Sequence, residues 1–227
     1  MTAPSAGLDA YRARETSFAV GLRPQDAVAL PLVEALAVLK DRFGDAVSIA
    51  LSDDAVDLKR PISELPAAVR SPRSREPDSA WMRRSNFVGI NVRTVGDLGG
   101  VVKYALTLPA ASNSIQLLPI WEPGVVKSLY GIAGWNLNYE FFSDELYEYA
   151  PTRNTSEKQL RAMSNLLHVM GKAVGMDVIP HTDRFSEIAL GNPNLFEWMR
   201  VRDRCIVDHS DEIIEEVEDA IATWLQD

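Results

Sequence analysis

The densest run of chemically competent side chains is Asp177-Val178-Ile179-Pro180-His181-Thr182-Asp183-Arg184. Two carboxylates, an imidazole, a hydroxyl and a guanidinium lie close together there. Such groups hydrogen-bond hydroxyl-rich or charged ligands, and the imidazole can move protons near neutral pH. The run follows a helix whose apolar stripe leads into Gly175, and its first half is apolar. This predicts a buried strand over about 176–181 that delivers polar groups at its C-terminal end. Working residues in α/β architectures sit at that end of the strands. His181 is then placed either to contact a ligand or to hold Asp183 or a loop. Asp183 and Arg184 either line the site or pair with each other or with Glu187. Asp177, inside the strand, reads as a structural carboxylate, because a buried carboxylate must be paired or protonated.

Other groups compete for attention. Asn91 and Arg93 follow an apolar run and can donate to hydroxyls from the same side. Tyr130 and Trp135 lie in a glycine-containing loop, where aromatic faces either stack on sugar rings or form a small satellite core. Arg70, Arg73 and Arg75 form an anion-competent cluster, but acidic residues flank it and it reads as a solvated linker. His168 lies mid-helix and His209 beside a cap, so both read as surface or capping residues. Asp208-His209-Ser210-Asp211 has metal-competent groups, yet a helix N-terminus favours Ser and Asp anyway. Cys205 is the single cysteine, so no intrachain disulfide and no cysteine-cluster metal site can form. No metal or cofactor is expected.

The elements that must position these groups are legible in part. Residues 1 to about 23 are weakly patterned. A helix opens at Pro31 with Val33, Leu36, Ala37, the Lys40 stem and Phe43 on one face, and ends at Gly44. Ala46–Leu51 reads as a strand. Residues 52–80 are irregular, with prolines at 61, 66, 72 and 77. From Asn86 the order becomes regular: strand 87–92, helix from Leu98 to Leu108, strand 115–120, then a long Gly/Trp/Tyr loop. Ser156 with Gln159 reads as a capping box. The helix behind it carries Leu160, Met163, Leu167, Met170 and Val174. After the organising strand, Pro193, Phe196 and Trp198 lie in a loop. Ser210 caps a last helix with Ile214, Val217, Ile221 and Trp224 inward. Alternating strands and helices with right-handed crossovers make a parallel sheet with helices outside. Periodicity leaves open whether the sheet is part of a barrel or an open sheet. No phosphate-cradling glycine motif follows a strand. The expected organisation is a small α/β N-terminal extension and linker over 1–80 and the βα units over 81–227.

Composition bounds the partners. The chain has 227 residues, 46% hydrophobic and 24% charged, with a formal net charge of −9. An acidic chain is a poor partner for a nucleic-acid backbone, but the charge is compatible with a neutral substrate such as a sugar. No signal-peptide pattern and no membrane-spanning apolar stretch is evident. A cytoplasmic protein without membrane or nucleic-acid partners is expected.

The run from about Asn86 to Arg200, roughly half the chain, resembles the first three βα units of the α-amylase superfamily of glycoside hydrolases and transglycosylases. Gly96-Asp97-Leu98-Gly99-Gly100-Val101-Val102-Lys103-Tyr104 is similar to the family's glycine pair and first helix. Ile115-Gln116-Leu117-Leu118-Pro119-Ile120 is similar to its second strand, Ser128-Leu129-Tyr130-Gly131 to the start of its next loop, and Asp177-Val178-Ile179 to the opening of its first conserved region. The resemblance implies a TIM-type (β/α)8 barrel acting on α-glucosidic bonds, of which this chain holds an N-terminal part. It implies substrate-binding roles for Asn91, Tyr130, Trp135, His181 and Arg184, and structural roles at the site for Asp177 and Asp183. Aligned without a gap, the family's Asn falls on His181 and its His on Thr182. A one-residue deletion keeps His181 as the sugar-contacting histidine. Ile132 stands where the family has a second tyrosine. The family's nucleophile Asp, acid/base Glu and third Asp belong to its fourth, fifth and seventh strands, so no catalytic residue is assigned here. The retaining mechanism needs two carboxyl groups about 5–5.5 Å apart. The expected partners are an oligo- or polysaccharide and either a C-terminal half or a second copy of the chain. The alternative is a noncatalytic carbohydrate-binding or assembly module built on a half barrel.

Overall fold

A computed structural model of the chain describes residues 23–74, 79–183 and 186–192, with 195, 201–202, 205–206, 219 and 223 beyond them. The chain forms two compact units, one from Met1–Glu122 with Trp135–Pro180 and the other from Pro123–Gly134 with His181–Asp227.

The first unit begins with helices α1 (Pro24–Ala29), α2 (Leu32–Phe43), α3 (Asp45–Ala50) and α4 (Asp53–Val56). Helix α2 follows Pro31 and stops at Gly44, as its end signals require, but it buries Leu32, Ala35, Leu36 and Leu39. Val33, expected inward, is exposed. Both stripes are written in the sequence, and the one with three leucines removes more apolar area from water. The Leu32 N–H donates to Glu145 Oε2 at 2.6 Å, which ties down that first turn. Ala46–Leu51 is helical rather than extended. Gly44, at φ 56°, turns the chain between α2 and α3, and Val47 and Ala50 are buried. A β-branched run becomes a strand only where a sheet edge accepts it. Here the neighbours are α2 and the later helix Ser156–Val169.

The proline-rich stretch after α4 is irregular, as expected, with 3₁₀ turns at Ile62–Glu64, Ala67–Val69 and Ser79–Arg84. It is nevertheless not a solvated linker. Leu65 and Val69 are buried. Arg70 folds back on its own segment, donating from Nε to Leu65 O at 2.6 Å and from Nη2 to Ser63 O at 2.8 Å. Its guanidinium thereby staples the two turns, which no charge-pattern argument could show.

The regular part follows: β1 (Phe87–Ile90), α5 (Val92–Val95), α6 (Leu98–Ala105), β2 (Ser114–Leu117), β3 (Trp121–Pro123), β4 (Ile132–Leu137), α7 (Asp144–Tyr149), α8 (Ser156–Val169) and β5 (Ala173–Met176). Strands β1, β2 and β5 form a parallel sheet in that order. Strand β3 pairs with β4 in a separate two-stranded sheet. The described part of the second unit adds α9 (Glu187–Gly191), β6 (Val201–Arg202) and β7 (Cys205–Ile206), the last two antiparallel. The expected loop at Pro193, Phe196 and Trp198 and the helix capped by Ser210 lie outside the described residues.

Local chemistry explains the helices. Gly96 has φ 98°, and Asp97 Oδ1 then accepts the Gly100 N–H at 2.8 Å to cap α6. A Cβ on Gly100 would fall 1.9 Å from Val95 O, and one on Gly99 2.6 Å from Ser143 Oγ. Gly100 is therefore set by close backbone approach, and Gly99 by the Ser143 side chain. Helix α8 is capped by Thr155, whose Oγ1 accepts the Lys158 N–H at 3.3 Å. Ser156 is not the cap, because Gln159 is used elsewhere. Its buried amide accepts the Ser143 N–H at 2.7 Å and donates to Ser143 O and Arg153 O at 2.9 and 3.1 Å.

The third parallel strand lies at Ala173–Met176, earlier than the expected 176–181. Lys172 explains the shift. It is buried at the strand entrance and its Nζ donates to Pro109 O and Ser112 O at 3.2 and 2.7 Å. That clamp starts β5 beside the beginning of β2. The ladder extends one bond further, from Asp177 N–H to Leu117 O at 2.9 Å.

Candidate functional site

Strand alternation gives the sheet two chemically different faces. Register places Val88, Ile90, Ile115, Leu117, Val174 and Met176 on one face. Ile90, Ile115 and Leu117 are buried there, and α8 packs beside β5. The other face carries Phe87, Gly89, Ser114, Gln116, Ala173 and Gly175. Ser114 and Ala173 are buried at its lower end, whereas Phe87 and Gly89 are exposed and Gln116 and Gly175 half-buried. Apolar cover is therefore confined to one side at the C-terminal half of the strands.

Two groups meet on the less covered face. Gln116 Nε2 donates to Asp177 Oδ1 at 2.8 Å. Gly175 permits this, because a Cβ there would lie 2.4 Å from Gln116 Oε1. Trp121 Nε1 donates to the Asp177 carbonyl at 2.9 Å. Asp177 is half-buried at the strand end, not fully enclosed, and its backbone and carboxylate both hold neighbouring groups. The sequence signal of Gln116 is a polar residue inside the apolar run Ile115–Ile120.

Asn91 turns inward on the backbone. Its Oδ1 accepts the Arg93 N–H at 3.0 Å and caps α5. Arg93 forms a two-pronged ion pair with Glu140, at 2.7 and 2.8 Å, and Asn138 Nδ2 also donates to Glu140 at 3.1 Å. The side-chain oxygen of Asn91 is thus spent on helix capping. Trp135 packs edge-on against Trp121, centroids 5.3 Å apart, and lines a cleft with Val174 and Met176 on the helix-bearing side of the sheet.

His181, Asp183 and Tyr130 belong to the second unit. His181 is exposed and lies past the end of β5, not within the strand expected over about 176–181. The Asp183 N–H donates to Ile132 O at 2.8 Å, and its carbonyl accepts the Ser186 N–H. Gly124 abuts the Asp183 side chain, leaving no room for a Cβ. Thr182 Oγ1 bonds Ile132 O and Ser186 Oγ at 2.6 and 2.7 Å. Tyr130 is exposed, and its N–H donates to Ser128 Oγ at 3.3 Å. Arg184 lies outside the described residues.

His168 departs most from its expected surface role. Its Nδ1 bonds the Val69 carbonyl at 2.9 Å, and burial holds its pKa below the ordinary histidine value. Because a carbonyl only accepts, Nδ1 carries the proton and Nε2 is the acceptor of the neutral ring. Among the described residues, no group of His, Cys, Asp and Glu is arranged to hold a metal ion, and no helix is long and apolar enough to cross a membrane. Comparison with protein-family models, with curated proteins and with solved structures returned no match.

Proposed function

We propose that this chain supplies the first three βα units of an α-amylase-type (β/α)8 enzyme acting on α-glucosidic bonds by hydrolysis or glycosyl transfer. The supporting observation is the sheet: three parallel strands, adjacent in chain order, with the Gln116–Asp177 pair at the C-terminal ends of the face that lacks apolar cover. A barrel turns that face inward and places substrate at those strand ends. On this reading Asp177 and Gln116 shape the floor of a sugar site. The substrate contacts of His181, Tyr130 and Arg184 are what the resemblance implies. Reaction at the sugar requires carboxylates carried by further strands, and the three units described contribute none.

The test is the product of the whole gene. It is expressed with whatever follows codon 227, and maltoheptaose turnover is followed by product analysis. Hydrolysis or transfer that tracks the purified protein, and that is lost when an aspartate at a later strand end becomes Asn, supports the proposal. A product that neither binds nor converts maltoheptaose overturns it. Binding without conversion in that product favours the noncatalytic carbohydrate-binding module instead.

A further inference from the structure

The largest group of unexplained features lies on the other side of the sheet, within the first unit. A cleft of about 620 Å³ runs between the stapled 3₁₀ turns, helix α8 and the outer strand β5. Small-molecule sites span about 300–1,000 Å³ and combine apolar walls with a few convergent polar groups. Leu58, Ile62 and Trp135 face water here although each is large and apolar, at 48%, 69% and 49% exposure. Trp121 stands edge-on behind Trp135 and is held by its bond to the Asp177 carbonyl, so the aromatic wall is pre-positioned. Leu160, Val174 and Met176 complete the apolar lining.

The polar groups have one predominant sign. Among the described residues, Arg70 and Arg161 both line the cleft, with Glu157 as the one carboxylate. Arg70 bonds Leu65 O and Ser63 O, and Arg161 Nη2 bonds Arg60 O at 3.2 Å. These partners are neutral carbonyls, which orient a guanidinium without cancelling its charge. His168 adds a neutral imidazole whose Nε2 accepts a hydrogen bond. In a chain of net charge −9, a cationic cleft with apolar walls is a local reversal of sign.

We propose that this cleft binds a small amphipathic anion: an aromatic or aliphatic body seated against Trp135 and Met176, with a carboxylate, phosphate or sulfonate directed to Arg161 and Arg70. Guanidinium recognises such anions through directed, charge-assisted hydrogen bonds. The site lies on the opposite face of the sheet from Gln116 and Asp177 and goes beyond the function proposed above.

The experiment is a fluorescence titration of the folded chain with 1-anilinonaphthalene-8-sulfonate and, in parallel, with its uncharged analogue N-phenyl-1-naphthylamine. The anionic probe is expected to bind saturably at one equivalent and to weaken with added salt. Arg161→Gln is expected to weaken the anionic probe roughly tenfold, the loss of one charge-assisted contact, while leaving the neutral probe unchanged. Ser164→Phe, which fills the cleft from the surface of α8 without breaking a bond, is expected to abolish both. Cooperative melting of each variant confirms its fold. Non-saturable probe uptake, anion binding indifferent to Arg161→Gln, or binding that survives Ser164→Phe overturns the proposal.

Discussion

At the residue scale, a buried lysine and a half-buried histidine make stability depend on pH in predictable directions. Burial lowers the Lys172 pKa from 10.5 to about 8. Between those values the unfolded chain binds the proton and the folded chain does not. Stability therefore rises with pH across that window, and below about 8 the folded state bears the cost of a buried charge. Urea midpoints measured from pH 7.5 to 10.5 are expected to climb in the wild type relative to Lys172→Met. Parallel profiles would show that burial does not lower the Lys172 pKa. His168 acts the same way at lower pH. Its folded pKa lies below 6.5, so its contribution is present above 6.5 and lost as pH falls through the folded value. His168→Gln is expected to flatten the decline in melting temperature on acidification from pH 7. Asp177 makes a different case. Its replacement by Ala strands the Gln116 amide in a half-buried place, at a cost of about 1 kcal/mol. His181→Ala, at an exposed position, is expected to leave the melt unchanged. A large loss of stability in His181→Ala would reverse the two roles assigned here.

At the element scale, the entry into α6 is a tightly constrained turn. Gly96 bends the chain, Asp97 caps it, and Gly100 lies against the Val95 carbonyl. Gly100→Ala must move backbone, because the obstructing atom is not a flexible side-chain end. It is expected to destabilise by about 2 kcal/mol, against about 1 kcal/mol for Asp97→Ala, which removes only the cap. Chemical denaturation of both variants checks the order, and equal losses would mean that the turn relaxes. Helix α8 is held differently, by the Gln159 amide joining it to Ser143 and Arg153. A side chain read as half of a capping box thus connects α8 to the start of α7.

At the scale of the whole molecule, the parallel sheet presents β1 and β5 as its outer strands and leaves Phe87 and Gly89 exposed on one face. Outer strands and exposed apolar face invite pairing with another chain. Sedimentation velocity is expected to show concentration-dependent association of the isolated chain, reduced by Phe87→Lys. A sharp monomer peak at every concentration would refute this. The isolated chain is also expected to turn over no maltoheptaose. Turnover that follows the protein through purification would contradict that expectation.

What the sequence determined by itself is local and periodic. Apolar runs at Phe87–Ile90 and Ile115–Leu117, separated by an amphipathic helix behind Asp97 and the glycine pair, call for a parallel βα arrangement, whereas the strand order was decided by the structure. Strand type, helix faces and turn glycines depend on neighbours within a few positions, so one chain suffices to read them. Only the tertiary structure decided the rest. Ala46–Leu51 is a helix because helices, not a sheet edge, surround it. The third strand begins at Ala173 because Lys172 reaches across to carbonyls some 60 residues away. His168 is shielded because the irregular segment that carries Val69 folds over α8. Gln116 joins Asp177 only through the register of two strands. These contacts are long-range and depend on geometry that periodicity does not encode. For the same reason the cationic cleft, assembled from a proline-rich segment, a helix and a strand, has no signature along the chain.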